Sequence, residues 1–185
     1  FIILGLIVLY SAFLLLKNLN TEIFIPKDVI PVKRFIENCI ESNADEALLL
    51  AERQGGYAIL PEDIEKNPLS YADKGFKSPF WKYLGENRMP SLEEIEDGIG
   101  QYSSPLILGC VGNFSRFSGQ FNIEKLNQER LTVKIKDDAV YFNFAYPISI
   151  NSPNKKSTTV LNDFEIKVNS KIGQHYELAK SIMEY

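Results

Sequence analysis

The first sixteen residues, FIILGLIVLYSAFLLL, carry no charge, and their only polar side-chain groups are the hydroxyls of Tyr10 and Ser11. A helix built from such a run is apolar all round, so it must be buried in protein or in lipid. At ~1.5 Å per residue it spans about 24 Å. That is about one turn short of the ~30 Å hydrocarbon core of a bilayer. Three environments fit: a membrane anchor that lacks its first turn, a buried helix of a large soluble domain, or a helix that sits in the membrane before assembly and packs against its own copies afterwards. The chain starts with Phe1 rather than Met, and the run is followed by Lys17-Asn18-Leu19-Asn20. That tetrad is not the small-residue cleavage site of a secretory signal, so the segment is expected to remain on the mature chain.

The remaining residues read as one ordinary domain behind this segment. The net charge is −4 and both signs are dispersed. No basic block is present to neutralise a phosphate backbone, so nucleic acid is not an expected partner. Cysteine occurs twice, at Cys39 and Cys110. In an extracellular domain an even pair favours a disulfide. Closing so long a loop contributes about 4 kcal/mol in the chain-entropy treatment. The alternative is two buried free thiols acting as small hydrophobes. Two cysteines and the distant His175 lack the short paired spacings of a zinc site. Neither a metal nor any other cofactor is expected.

In chain order, residues 1–17 form the apolar helix and 18–30 an extended linker. Thr21-Glu22-Ile23-Phe24-Ile25 alternates as a short strand or arm. It either packs on its own domain or is donated over residues 22–25 to a neighbour's sheet. Pro26 and Pro31 disfavour helix before each of them, which uncouples the apolar helix from the head and lets the head swing or swap. Residues 31–110 form a helical, loop-rich part of the head. Pro31 suits a helix start, and the helix is predicted to reach Gln54. Val32, Phe35, Ile36, Cys39 and Ile40 share one face. Asn43-Ala44-Asp45 is expected to loosen the middle, and Gly55-Gly56 to end the helix before a short strand at 57–61. Residues 63–89 are loop-rich. Ser91-Leu92-Glu93-Glu94 matches a capping box, and the helix behind it is expected to close at Pro105. Its acids Glu93, Glu94, Glu96 and Asp97 read as a solvated face favoured by the helix dipole. Leu106 to Cys110 should return the second thiol to the core. Residues 111–185 form an antiparallel β-meander followed by a terminal helix, with strands at 131–135, 139–146, 148–150 and 158–169 and the helix at 172–183. Pro147 marks an edge or a bulge.

Chemistry is sparse. The phosphate-loop, dinucleotide, serine-hydrolase and zinc-protease motifs are all missing, and His175 has no motif partner. No catalytic residue is assigned and no enzyme is expected. Gln54-Gly55-Gly56-Tyr57 reads as a helix stop rather than a ligand loop. Tyr71, Phe76, Phe80, Trp81 and Tyr83 form the candidate contact loop, since aromatics of this kind either pin a long loop to its core or mark an interface for a glycan or protein. Asn113-Phe114-Ser115 is a glycosylation sequon.

The start Phe1-Ile2-Ile3-Leu4-Gly5-Leu6-Ile7-Val8-Leu9 resembles the mature N-terminus of type IV pilins. In that family a peptidase cuts just before an apolar helix, and the helices then pack in a filament core. Gly5 stands where bacterial pilins usually carry Glu; archaeal pilins often lack that Glu. The order of helical cysteine, Gly-Gly-Tyr, aromatic loop and second cysteine also resembles poorly characterised secreted proteins of small-genome archaea with pilin-type signals. The resemblance implies an α+β head on an assembly helix made by Phe1, Ile2, Ile3, Leu4, Leu6, Ile7, Val8, Leu9, Phe13, Leu14, Leu15 and Leu16. Its partners would be copies of itself in a helical polymer, and the membrane before assembly. A membrane-anchored surface protein that binds a glycan or another cell-surface ligand is the competing expectation.

Overall fold

A computed structural model describes residues 25–112 and 114–184. The expected assembly helix, the arm before Ile25, and Asn113 lie outside the described residues. What is described is a mixed α+β fold with antiparallel sheets and a terminal helix.

Helix α1 (Ile30–Arg53) starts with Pro31 in its first turn, where the missing N–H has no intrahelical acceptor to lose. Its buried face is Val32, Ile36, Cys39, Ile40, Ala44, Ala47, Leu48 and Ala51. The small residues in its second half continue the stripe that the run Leu48-Leu49-Leu50 left slack in the sequence. Leu49 points to solvent, 45 % exposed. The helix does not loosen at Asn43. That side chain donates to the Cys39 carbonyl one turn back (2.7 Å), which holds its polar group on the helix instead of competing with it. Gly55 then adopts φ +63°, and Gly56 N–H bonds to Ala51 O at 2.7 Å, the 6→1 bond of a Schellman end. No strand follows at 57–61. The chain turns and enters the short helix α2 (Glu62–Glu65).

Two small ribbons come next, β1 (Tyr71–Asp73) with β2 (Lys77–Pro79), and β3 (Lys82–Tyr83) with β4 (Glu86–Asn87). Helix α3 (Leu92–Val111) opens with the expected capping box: Ser91 Oγ accepts from Glu94 N–H, and Glu94 carboxylate accepts from Ser91 N–H. It does not close at Pro105. The proline removes the bond to the Gln101 carbonyl, but both residues lie on the exposed face, where water can take over. So the helix carries on to Cys110. A 3-10 turn (Ser115–Phe117) leads to the main sheet.

That sheet is organised on β7 (Ala139–Ser152). On one side it pairs along its length with β8 (Ser157–Asn169). On the other it pairs with two strands laid end to end, β6 (Arg130–Ile135) and β5 (Asn122–Lys125). Strand β5 is absent from the expected meander, and its alternation is too short and polar to stand out. The register slips between Ala145 and Ile148, so Pro147 sits in a bulge where β7 changes partner from β6 to β5. Here the proline's missing N–H interrupts no ladder, and its carbonyl accepts from Leu126 N–H (2.8 Å). Val140, Phe142, Phe144, Tyr146, Ile148 and Ile150 alternate inward, joined by Leu161 and Phe164 of β8.

Helix α1 packs on α3 and on β8, and α3 packs on β6, so the buried faces form one core. Terminal helix α4 (Ile172–Met183) has the expected bounds. Its start presses on the β6–β7 turn: a Cβ on Gly173 would lie 2.4 Å from the Lys136 carbonyl oxygen.

Candidate functional site

The two cysteines meet. Cys39, midway along α1, is bonded to Cys110 in the last turn of α3 (Sγ–Sγ 2.03 Å, Cα–Cα 5.7 Å, 71 residues apart). Cys39 is buried, whereas Cys110 lies on an exposed edge and not in the core. The continuation of α3 through Pro105 is what brings Cys110 to this position. Further along the same helix pair, Tyr102 hydroxyl donates to Glu46 carboxylate at 2.7 Å, and this bond holds the phenol above its usual pKa.

The acidic start of α3 is not uniformly solvated. Glu96 is 7 % exposed and accepts from Ile135 N–H (2.8 Å) and Lys134 Nζ (2.6 Å). Ile135 lies in β6, whose other edge is open, so this carboxylate covers a free edge donor with a side chain from the neighbouring helix. The hydrogen bond to Glu96 raises the pKa of Lys134. No spacing in the sequence distinguishes Glu96 from Glu93, Glu94 and Asp97; only the tertiary approach of β6 does.

The five loop aromatics have different partners. Trp81 indole N–H donates to Gly55 O at 2.8 Å. Phe76 lies under the Arg53 guanidinium (4.5 Å), Tyr71 under Lys77 Nζ (5.5 Å) and Tyr83 under Arg88 (5.0 Å). Phe80 is the exposed member. Four of the five rings sit beside a cation or a backbone carbonyl, two of them supplied by the end of α1 and two by the lobe, which is how a loop-rich segment holds its shape without a core of its own. Tyr57 adds a tie, its hydroxyl donating to Arg88 O at 2.9 Å, and burial raises its pKa.

One cleft brings together residues far apart in sequence. Gly55 and Gly56 at the end of α1, Trp81, Ile95 of α3, and Ile172, His175 and Tyr176 of α4 surround a volume of about 210 Å³. The double glycine is required by packing here. A Cβ on Gly56 would stand 3.0 Å from both Ile95 Cδ1 and Pro90 Cγ, and φ is +100°. A Cβ on Gly55 would meet Trp81 Nε1 at 3.3 Å. The cleft is apolar, with the exposed His175 and Glu52 at its rim; Glu52 accepts from Ser170 hydroxyl (2.9 Å). It is smaller than the ~300 Å³ lower bound usual for drug-sized ligands, and suits one ring or one side chain. Of the expected contact loop, Trp81 alone lines it.

Of the sequon, Phe114 and Ser115 are described: Ser115 opens the 3-10 turn, and Phe114 is buried, in the left-handed region at φ 58°, with its ring 6.2 Å from that of Tyr146. Among the described residues no group of three His, Cys, Asp or Glu side chains is placed to hold a metal ion, and no helix is long and apolar enough to cross a membrane. No family model matches the chain, and no curated protein or solved structure matches it. The class that can be stated is therefore architectural: a disulfide-linked helix pair packed on an antiparallel sheet, with a loop-rich aromatic lobe and a terminal helix.

Proposed function

We propose that this chain is a structural subunit of an extracellular, pilus-like filament. The observation that carries the reading is the uncharged run of residues 1–16, attached nine residues before Ile25 to a disulfide-bonded head. Burying such a run among identical helices removes a large apolar area from water at ~25 cal/mol per Å², and requires no cofactor. Head-to-tail contacts of this kind propagate as open helical polymers. The disulfide supports an oxidising location outside the cytosol. The membrane holds the same run before assembly. Heads then meet through exposed surfaces such as Phe80 in the aromatic lobe. Electron microscopy of native material is the test, and filaments with a regular helical repeat are expected. Monodisperse, detergent-soluble monomers, or polymers that still form after residues 1–16 are removed, refute an assembly core made by that run.

A second reading rests on the cleft of Trp81, His175 and Tyr176. In it the chain is a membrane-anchored surface protein that takes one sugar ring or peptide side chain against the indole. Glycan-array binding that is lost in Trp81→Ala, with no filaments in native material, would favour it.

A further inference from the structure

A second pocket lies at the opposite end of α1 from the double glycine. Pro31, Arg34, Phe35 and Asn38 from the first turns of α1, with Arg116 and Phe117 of the 3-10 turn, line a shallow, open hollow of about 230 Å³. Its lining is basic and aromatic, as is that of the hollow at Arg53, Lys74 and Phe76, and here two guanidinium groups share it. The chain is acidic overall, yet this pocket has two guanidinium groups and no carboxylate in its lining. Among the described residues the ion pairs on this end are Lys33–Glu37 and Lys155–Asp28, and neither Arg34 nor Arg116 takes part in one. Elsewhere in the head, Arg88 is close to both Glu86 and Asp63.

The arginine in the turn is held in place by rings. Arg116 stacks over Phe35 (4.6 Å to the centroid) and lies 5.7 Å from Phe117, and the two rings meet edge to face at 5.6 Å. Stacking occupies the face of a guanidinium and leaves its in-plane N–H donors free, the edge that matches a tetrahedral oxyanion. Arg34 and Asn38 stand one helical turn apart on the exposed side of α1, so a second guanidinium and an amide flank the same space.

We propose that this pocket binds a phosphate group, either a free anion or the headgroup of an anionic lipid. The lipid source is reasonable by covalent reach. Pro31 is only six residues past Ile25, and Ile25 only nine past the end of the uncharged run. Nine residues extend at most about 32 Å. A head tethered this closely to a bilayer would keep the pocket within reach of the headgroups.

The test uses the full chain in non-ionic detergent, with the Nε–H signals of Arg34 and Arg116 and the Asn38 side-chain amide followed by NMR. Sodium phosphate, a short-chain phosphatidylglycerol and sodium chloride are titrated separately at matched ionic strength. Saturable shifts at both arginines are expected with a phosphate probe and not with chloride. Tighter saturation by the phospholipid assigns the headgroup; equal or tighter saturation by inorganic phosphate assigns the free anion. Arg34→Gln with Arg116→Gln should weaken binding about tenfold or more. Arg116→Lys, which keeps the charge and loses the fork, should weaken it less. Absence of saturable shifts with either phosphate probe, equal shifts with chloride, or unchanged binding in the double variant overturns the proposal. Both arginines are exposed, so the folded state of the variants can be checked by an otherwise unchanged amide spectrum.

Discussion

Replacing both cysteines (Cys39→Ala, Cys110→Ala) should be the most damaging change that leaves every secondary-structure element formally intact. The bond closes a loop between positions 71 apart, which holds α2, both ribbons and nearly all of α3. In the chain-entropy treatment, freeing a loop of that length in the unfolded state removes about 4 kcal/mol. Cys39 is 2 % exposed, so losing its sulfur also removes one buried heavy atom, for roughly 1 kcal/mol more. Cys110 is exposed and adds little. The sum, about 5 kcal/mol, corresponds to a melting temperature lower by roughly 10–20 °C for a chain of this size. Urea unfolding of the full chain, oxidised against the double variant at constant detergent, is the assay. The midpoint should fall and the slope should rise, because an uncrosslinked unfolded chain exposes more surface. A loss under about 1 kcal/mol with an unchanged slope would refute the reasoning, since the unfolded chain would then be equally compact without the bond.

Other perturbations address single contacts. Glu96→Ala leaves Ile135 N–H without its partner and should destabilise the head by about 1–3 kcal/mol, while Glu96→Gln, which can still accept that bond, should cost less in the same denaturation assay. Ser91→Ala removes the side-chain half of the capping box, the bond from Glu94 N–H to Ser91 Oγ, and should cost about 1 kcal/mol. The bonds from Ser91 hold the Glu94 pKa below its usual value in the folded chain, so the stability they supply is present above the ordinary carboxylate pKa and is lost as pH falls through the lowered value. An NMR titration of Glu94 should show that depression lessened but still present in the variant, because the backbone N–H of residue 91, its largest cause, is kept. Gly173→Ala would place a methyl against the Lys136 carbonyl oxygen, and should push α4 off the β6–β7 turn at about 1–3 kcal/mol, seen as faster amide exchange confined to α4.

Elements set by local chemistry were legible from the chain. Pro31, the Schellman glycines, the capping box and the strict alternation of Val140, Phe142 and Phe144 each act within a few residues, and each places its element correctly. The cysteine pairing was legible as one of two alternatives. What escaped depends on neighbours distant in sequence. Pro105 reads as a stop until the helix is seen to turn that face to water. Strand β5 pairs with β7 beyond the bulge at Pro147, and its own short, polar pattern does not announce it. Glu96 is indistinguishable from its acidic neighbours until β6 offers an N–H. The ring partners in the aromatic lobe escaped for a similar reason: Arg53, Lys77 and Arg88 each take one ring, and nothing in their spacing announces the pairing. The cleft at Trp81 and the pocket at Arg116 both need the fold before their members can be seen together.

The linker shows the same lesson with a functional consequence. A flexible connection through residue 30 was the expectation, because Pro26 and Pro31 interrupt helix. The prolines do interrupt it, but the segment is docked. Ile25 packs against the core, Val29 is 2 % exposed, Val29 N–H closes a turn on Pro26 O at 2.9 Å, and Asp28 pairs with Lys155 of the β7–β8 hairpin at 2.9 Å. The carboxylate of Asp28 is held below its usual pKa by that lysine. Residues 25–29 therefore do not serve as a hinge between head and apolar run. The consequence is measurable. Lys27 has an exposed side chain, yet its backbone is inside this docked turn, so trypsin should cleave after Lys27 in the native chain far more slowly than in the urea-unfolded chain. Lys155→Ala, which frees Asp28, should accelerate that cut without opening sites in β7 or β8. Equal cleavage after Lys27 in the native and unfolded chains would return the hinge to the head's own doorstep and restore a freely swinging head.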